Sequence, residues 1–174
     1  MKKILLVIDM QNDFVTGPLS TPEARAIVPN IMKKINSKEY RYVVFTRDTH
    51  YSDYLNTFEG QRLPVEHCIV GTKGWEIIPE FNVDPHHSII ADKNTFGYDR
   101  IGEFLNPLLP AEIEVVGVCS DICIISNTLA LRMFYPDMKI TVDASCCAGV
   151  TPEKHRAALE VMKSCQIDVI NDDE

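Results

Sequence analysis

Val115-Val116-Gly117-Val118-Cys119-Ser120-Asp121-Ile122-Cys123-Ile124 is the stretch whose reading decides the fold. Its apolar run ends at Val118 and has the character of a strand buried on both faces, followed by a tight turn and a helix start. Ser120 is a good N-cap residue, and Asp121 suits the first helical turn. Cys123 then falls in or near that turn, where the positive end of the helix dipole favours a thiolate over a thiol. An ionised cysteine is a nucleophile. Backbone N–H groups left free at a helix start can receive a developing oxyanion. The competing reading is plain packing, because cysteine is among the most buried residue types and in a core behaves as a small hydrophobe.

The same strand-then-helix unit recurs on both sides of this stretch. Ile4 to Ile8 reads as a buried strand, and Thr21-Pro22 opens a helix running to about Ile35, with threonine at the N-cap and proline at N1. Tyr42 to Thr46 is a second strand. A polar loop from Arg47 to about Gly74 follows, and loops of that length inside compact domains tend to carry function. Trp75 to Phe81 reads as a short helical piece, Ser88 to Ile90 as a third strand, and Tyr98 to Leu105 as a helix ended by Asn106-Pro107. After the fourth strand, Ile113 to Val118, a helix runs to about Tyr135 and is stopped by Pro136. Lys139 to Val142 is a fifth strand, Thr151-Pro152 opens a helix to about Ser164, and Ile167 to Ile170 is a sixth strand. The alternation predicts an α/β three-layer sandwich around a central, mostly parallel six-stranded sheet with right-handed crossovers, one domain over residues 1–174.

The bulk properties narrow the class. The chain has 174 residues, 45% hydrophobic and 24% charged, which suits a soluble globular domain with a real core. A net charge of −8 argues against nucleic acid or an anionic membrane surface as a partner. The apolar start is cut by Asp9 too soon for a signal peptide, and nothing approaches a transmembrane length, so the expected location is cytoplasmic. The six cysteines (Cys68, Cys119, Cys123, Cys146, Cys147, Cys165) are then expected to be reduced, and none forms a paired CxxC zinc pattern.

The polar residues collect at one edge of the predicted sheet. Asp9 follows strand one, Asp48 and His50 follow strand two, Lys93 follows strand three and Cys123 follows strand four. Ligands bind open α/β sheets at the carboxyl ends of the strands. A cysteine, a lysine and an aspartate there make chemical sense: the aspartate takes the thiol proton and returns it to a leaving amine, and the lysine stabilises the thiolate. Asp48 and His50, two residues apart in an extended segment, point the same way. With His67 and Glu59 they form an N/O ligand set suited to zinc, iron or manganese. Phe14, Trp75 and Tyr98 are candidate aromatic walls. His86, His87 and His155 read as surface, and Cys146 and Cys147 as buried residues following strand five.

These motifs together resemble the isochorismatase-like cysteine hydrolases, and within them the nicotinamidase-related branch. The resemblance is carried by Ile8-Asp9-Met10-Gln11-Asn12-Asp13-Phe14, Thr46-Arg47-Asp48-Thr49-His50, Glu66-His67-Cys68, Lys93-Asn94-Thr95-Phe96 and Gly117 to Cys123. It implies a triad of Asp9, Lys93 and Cys123, and an oxyanion hole from the backbone N–H groups of Cys119 and Cys123. It also implies a cis Val118–Cys119 peptide and a divalent metal, zinc first, on Asp48, His50 and His67, with Glu59 a ligand in only some members. In that branch the metal binds the pyridine nitrogen of the substrate and orients it. The expected reaction is hydrolysis of a small carboxamide to acid and ammonia through a thioester on Cys123, by a homo-oligomer. Arg62-Leu63-Pro64-Val65-Glu66 departs from the branch, which tends to carry a ring-stacking aromatic where Pro64 stands. Two alternatives remain: isochorismatase-type chemistry on the same fold, and a redox or metal-binding module using Cys119 and Cys123.

Overall fold

The six apolar runs form the strands β1 (Lys3–Ile8), β2 (Tyr42–Asp48), β3 (Ser88–Lys93), β4 (Glu112–Val118), β5 (Lys139–Ala148) and β6 (Asp168–Ile170). In the computed structural model, which describes residues 2–172, they pair in the order β3-β2-β1-β4-β5-β6. Every pairing is parallel. Met1, Asp173 and Glu174, the ends of the expected domain, lie outside the described residues. Side chains alternate across the sheet. Ile4, Leu6 and Ile8 of β1 join one buried cluster with Leu131, Leu159 and Met162, while Leu5 and Val7 join a second with Ile27 and Ile31. A central strand with apolar residues on both faces needs cover on both, and this produces the three layers.

The helices are α1 (Asn12–Val15), α2 (Pro22–Ala26), α3 (Val28–Asn36), α4 (Phe58–Arg62), α5 (Ile101–Leu105), α6 (Ile125–Phe134) and α7 (Pro152–Ser164). Thr21 and Thr151 act as caps as expected, accepting from Ala24 N at 3.0 Å and Lys154 N at 3.3 Å. The single helix expected from Thr21 to Ile35 is two, broken at Ile27. Pro29 lacks an N–H and crowds the residue before it, so α2 cannot run on unbroken. Trp75–Phe81 is not one helical piece; 3₁₀ turns at Lys73–Trp75 and Pro79–Phe81 flank an extended join.

Three strands run further than their apolar residues. β2 continues to Asp48 and β3 to Lys93, because these two residues pair in register and each side chain is buried. β5 continues through Cys146 and Cys147, so both cysteines lie within the strand rather than after it. A register shift between Val115 and Gly117 absorbs the extra residues of β5. Gly117 has φ +120°, and a Cβ there would run into the Ile8 carbonyl oxygen. Only glycine allows β4 to press so closely on β1 at the reactive edge.

Candidate active site

Asp9, Lys93 and Cys123 meet at the carboxyl ends of β1, β3 and β4. Asp9 leaves β1 with φ +51°, a left-handed conformation uncommon outside glycine. It is fixed there by a reciprocal pair: Asp9 N donates to Thr46 Oγ1 at 3.1 Å and the Thr46 hydroxyl donates to Asp9 Oδ1 at 2.5 Å. Lys93 Nζ lies 2.7 Å from Asp9 Oδ2, 3.7 Å from Cys123 Sγ and 3.4 Å from Asp48 Oδ1, and donates to Thr95 O at 3.1 Å. Asp9 is fully buried, and Lys93 and Cys123 nearly so.

Burial pushes the Asp9 carboxyl above its ordinary range, and the Lys93 charge only partly offsets this. Burial likewise pushes the Cys123 thiol well up against the pull of Lys93. Burial would lower the Lys93 ammonium, but Asp9, Cys123 and Asp48 raise it past its usual value, so it stays charged. The buried site therefore holds one permanent cation between two groups that compete for a proton.

The segment after β4 opens differently from a capped α-helix. The Val118–Cys119 peptide is cis, as the resemblance implies, and Ser120–Ile124 form a wide π-type turn before α6. Ile122 N and Ile124 N, on either side of Cys123, both donate to the Cys119 carbonyl, at 3.1 and 3.0 Å. Ser120 is not the cap. Its hydroxyl pairs with His155 Nδ1 of α7 at 2.7 Å, and burial keeps His155 below its usual pKa and neutral. His155 is therefore half-buried and engaged, not a surface residue. Asp121 Oδ1 accepts from Val150 N at 2.9 Å, a second tie between the nucleophile turn and the start of α7.

A second cluster lies against the first. Asp48 Oδ2 is 3.0 Å from His50 Nε2 and 3.5 Å from His67 Nε2, and Glu59 Oε1 of α4 is 3.7 and 3.9 Å from the same two nitrogens. His67 Nδ1 pairs with Val65 O at 2.8 Å, which fixes a proton on Nδ1 and turns Nε2 toward the cluster. Burial pushes the Asp48 carboxyl up, and hydrogen bonds from His50 and His67 with the Lys93 charge bring it below the usual carboxylate range. Ligand atoms of Asp48, His50 and His67 lie within 4.8 Å of one another. Two imidazoles and a carboxylate, buried and convergent, fit a divalent cation. Asp13 Oδ2 accepts from Cys68 N at 2.7 Å and anchors the chain next to His67. Tyr54, absent from the sequence reading, is fully buried with its ring 4.6 Å from His50 and 5.0 Å from His67. An aromatic four residues after His50 in a polar loop was the available signal.

A cavity of about 730 Å³ opens over both clusters, with Asp48, His50, Glu59, His67, Cys119 and Cys123 in its wall. Phe14 lines it and meets His67 edge to face at 5.6 Å. The other two expected aromatic walls lie elsewhere. Trp75 donates from Nε1 to Thr49 Oγ1 at 2.8 Å and carries the Arg47 guanidinium 3.5 Å over its ring. Tyr98 packs against Phe104. His87 pairs with Asp84 on the surface, as expected. All six cysteines are free thiols.

Comparison with known proteins agrees with this geometry. Residues 3–174 match the family model described as Isochorismatase domain. The chain is 26% identical over 192 residues to nicotinamidase/pyrazinamidase of Mycobacterium tuberculosis, covering 97% of this chain and 98% of that protein. The crystal structure of nicotinamidase/pyrazinamidase from Bacillus subtilis superposes with a TM-score of 0.83 at 27% identity, covering 97% of this chain and 99% of that one. A pyrazinamidase of Pyrococcus horikoshii, solved in complex with zinc, shares the fold with a TM-score of 0.81 at 24% identity over 98% and 99% of the two chains. The chain belongs to the isochorismatase family, and its relatives there are nicotinamidase-like hydrolases.

Proposed function

We propose that this protein is a cysteine-dependent amidohydrolase that converts a small carboxamide, nicotinamide or a near relative, to its acid and ammonia. The observation that carries the reading is Lys93 Nζ held at once 2.7 Å from Asp9 and 3.7 Å from Cys123 Sγ. Asp9 takes the Cys123 proton, and its raised proton affinity suits it to that task. The thiolate, held next to the Lys93 ammonium, attacks the amide carbon. The oxyanion that forms is received by the backbone N–H groups of Cys119 and Cys123. Asp9 then protonates the departing nitrogen, which leaves as ammonia, and a thioester remains on Cys123. Water, deprotonated by Asp9, attacks the thioester carbon and releases the acid and the thiol.

Asp48, His50 and His67, with Glu59, would hold a divalent cation, and zinc matches their chemistry best. When bound, that ion supplies a Lewis-acid contact that orients the substrate ring. Phe14 supplies one wall for the ring. The reading carries with it one domain over residues 1–174, a reduced, cytoplasmic setting and a homo-oligomer. The six free thiols are in keeping with the reduced setting, and among the described residues no helix is long and apolar enough to cross a membrane. Light scattering tests the assembly.

The deciding experiment is ammonia release from nicotinamide, pyrazinamide and benzamide, with metal content measured in the same preparation. Turnover of at least one amide is expected. A metal-loaded, folded protein that hydrolyses none of them defeats the proposal.

A further inference from the structure

The cavity is much larger than a pyridine carboxamide, and its charges are arranged along its depth. At about 730 Å³ it falls in the range of pockets that enclose drug-sized ligands. Its deep wall holds the acidic cluster with Asp48 and Glu59. Its outer wall is apolar, formed by Phe58, Leu63, Phe96 and Val150, all exposed. Phe58 is 72% exposed, and four apolar side chains gathered open to water at one cavity mouth are the kind of patch that a ligand covers.

Two cations complete that rim, Arg62 of α4 and Lys154 of α7. Among the described residues neither has a carboxylate within ion-pair distance. This runs against the chain as a whole, which has 25 acidic and 17 basic residues. The Arg62 guanidinium lies 3.5 Å over the Phe58 ring. Stacking uses the face of the guanidinium and leaves its edge N–H donors free for an anion.

The geometry points to a substrate built along this axis: a carboxamide at the Cys123 end, an apolar body against the rim, and a terminal carboxylate received by Arg62 and Lys154. This rests on the amidohydrolase reading and names its substrate class. The carboxamide is neutral and small enough for the deep end, the body accounts for the volume that a single ring leaves unfilled, and the carboxylate answers two cations that no side chain among the described residues neutralises.

The test compares para-carbamoylphenylpropanoate with its methyl ester and with nicotinamide, in the wild type and in the double variant Arg62→Gln/Lys154→Gln. The acid is expected to exceed the ester in kcat/KM by about fivefold at low salt, the size that two exposed ion pairs give, with the ratio falling as salt is added. In the double variant the ratio is expected to fall to about one. Equal handling of acid and ester by the wild type overturns the inference, as does a preference that survives the double substitution. Calorimetric binding of the acid and the ester to the wild type gives an independent arm. If no amide is turned over yet the acid binds more tightly than the ester, the hydrolase reading fails and the anion site stands. If the amides are turned over and the two ligands bind alike, the anion site fails and the hydrolase stands.

Discussion

Two buried groups of charges occupy the two ends of the sheet, and they treat protons in opposite ways. Toward the amino ends, Lys34 of α3 lies 2.6 Å from both Glu114 Oε1 and Asp143 Oδ2, and Lys3 lies 2.7 Å from Glu114 Oε2. Glu114 and Asp143 are as buried as the active-site groups. Burial pushes their carboxyls up. Lys3 and Lys34 at Glu114, and Lys34, Ser145 and Asn171 at Asp143, then pull both below the ordinary range. At the carboxyl ends a single ammonium, Lys93, is shared by Asp9, Asp48 and Cys123, and Asp9 and Cys123 end above their ordinary values. Two cations for two carboxylates make fixed charges that clamp α3 to the sheet. One cation for three acidic groups leaves protons poised to move. The residue types are the same, and the stoichiometry of pairing separates scaffold from chemistry.

The comparison is broken most severely at the sulfur. Cys123→Ala is expected to cut ammonia release by roughly 10⁴-fold or more while the circular dichroism spectrum stays native, since loss of a covalent nucleophile leaves only binding and oxyanion stabilisation. Residual turnover near wild type would remove the thioester from the mechanism. Lys93→Met should cost about 10³-fold in kcat, because the thiolate and the carboxylate lose their only shared cation. Its urea midpoint should move little, because Asp9 takes up a proton instead of remaining a bare buried charge.

His67→Ala separates the two clusters within the site. Metal content measured by atomic absorption should fall, and kcat/KM for nicotinamide should drop about 100-fold. Alkylation of Cys123 by iodoacetamide should proceed at close to the wild-type rate, since His67 touches Asp48 and Glu59 and not the sulfur. A matching collapse in alkylation would mean that the imidazoles, not Lys93, govern the thiol.

Much of this end of the molecule was legible in the sequence, because strands buried on both faces are continuous apolar runs and the first charged residue after each run marks the edge. Asp9 follows from that rule directly, whereas Cys123 lies two residues beyond Asp121 and is read from its place at a helix start. Asp48 and Lys93 follow from it only approximately: they belong to β2 and β3, pair with one another and are buried for that reason. What was not legible depends on partners distant in sequence. The Ser120 hydroxyl goes to His155 of α7, not to its own helix, and Trp75 and Tyr98 turn to Thr49 and Phe104, not to the cavity. No local pattern distinguishes an aromatic that lines a cavity from one that closes a loop. The Lys3–Lys34–Glu114–Asp143 group was missed altogether, because its members come from four separate elements and none sits in a motif.

That scaffold group supplies the smaller predictions. Lys34→Met should destabilise the protein by about 3 kcal/mol at neutral pH, since two buried carboxylates lose a shared partner, while kcat per folded molecule stays within about twofold. Lys93→Met should do the reverse, so the pair of variants forms a double dissociation of stability from rate.

The last effect is the pH dependence of that 3 kcal/mol. Glu114 and Asp143 have folded-state pKa values below their unfolded ones, so the unfolded chain binds more protons in the window between them. Stability from these groups is therefore fully present above their unfolded values, near pH 4, and is lost as pH falls through the folded values. Lys34 is the cation common to both, and without it burial raises both folded values in the variant, so the stability difference between wild type and Lys34→Met should shrink as pH falls through those raised values and on through the wild-type ones, by at most about 1.4 kcal/mol per pH unit per carboxyl. Urea titrations of both proteins at half-unit steps measure it. A difference that stays constant down to pH 3 would mean that Lys34 acts through its aliphatic stem against the sheet, and the two ends of the molecule would then differ in packing and not in how they pair their charges.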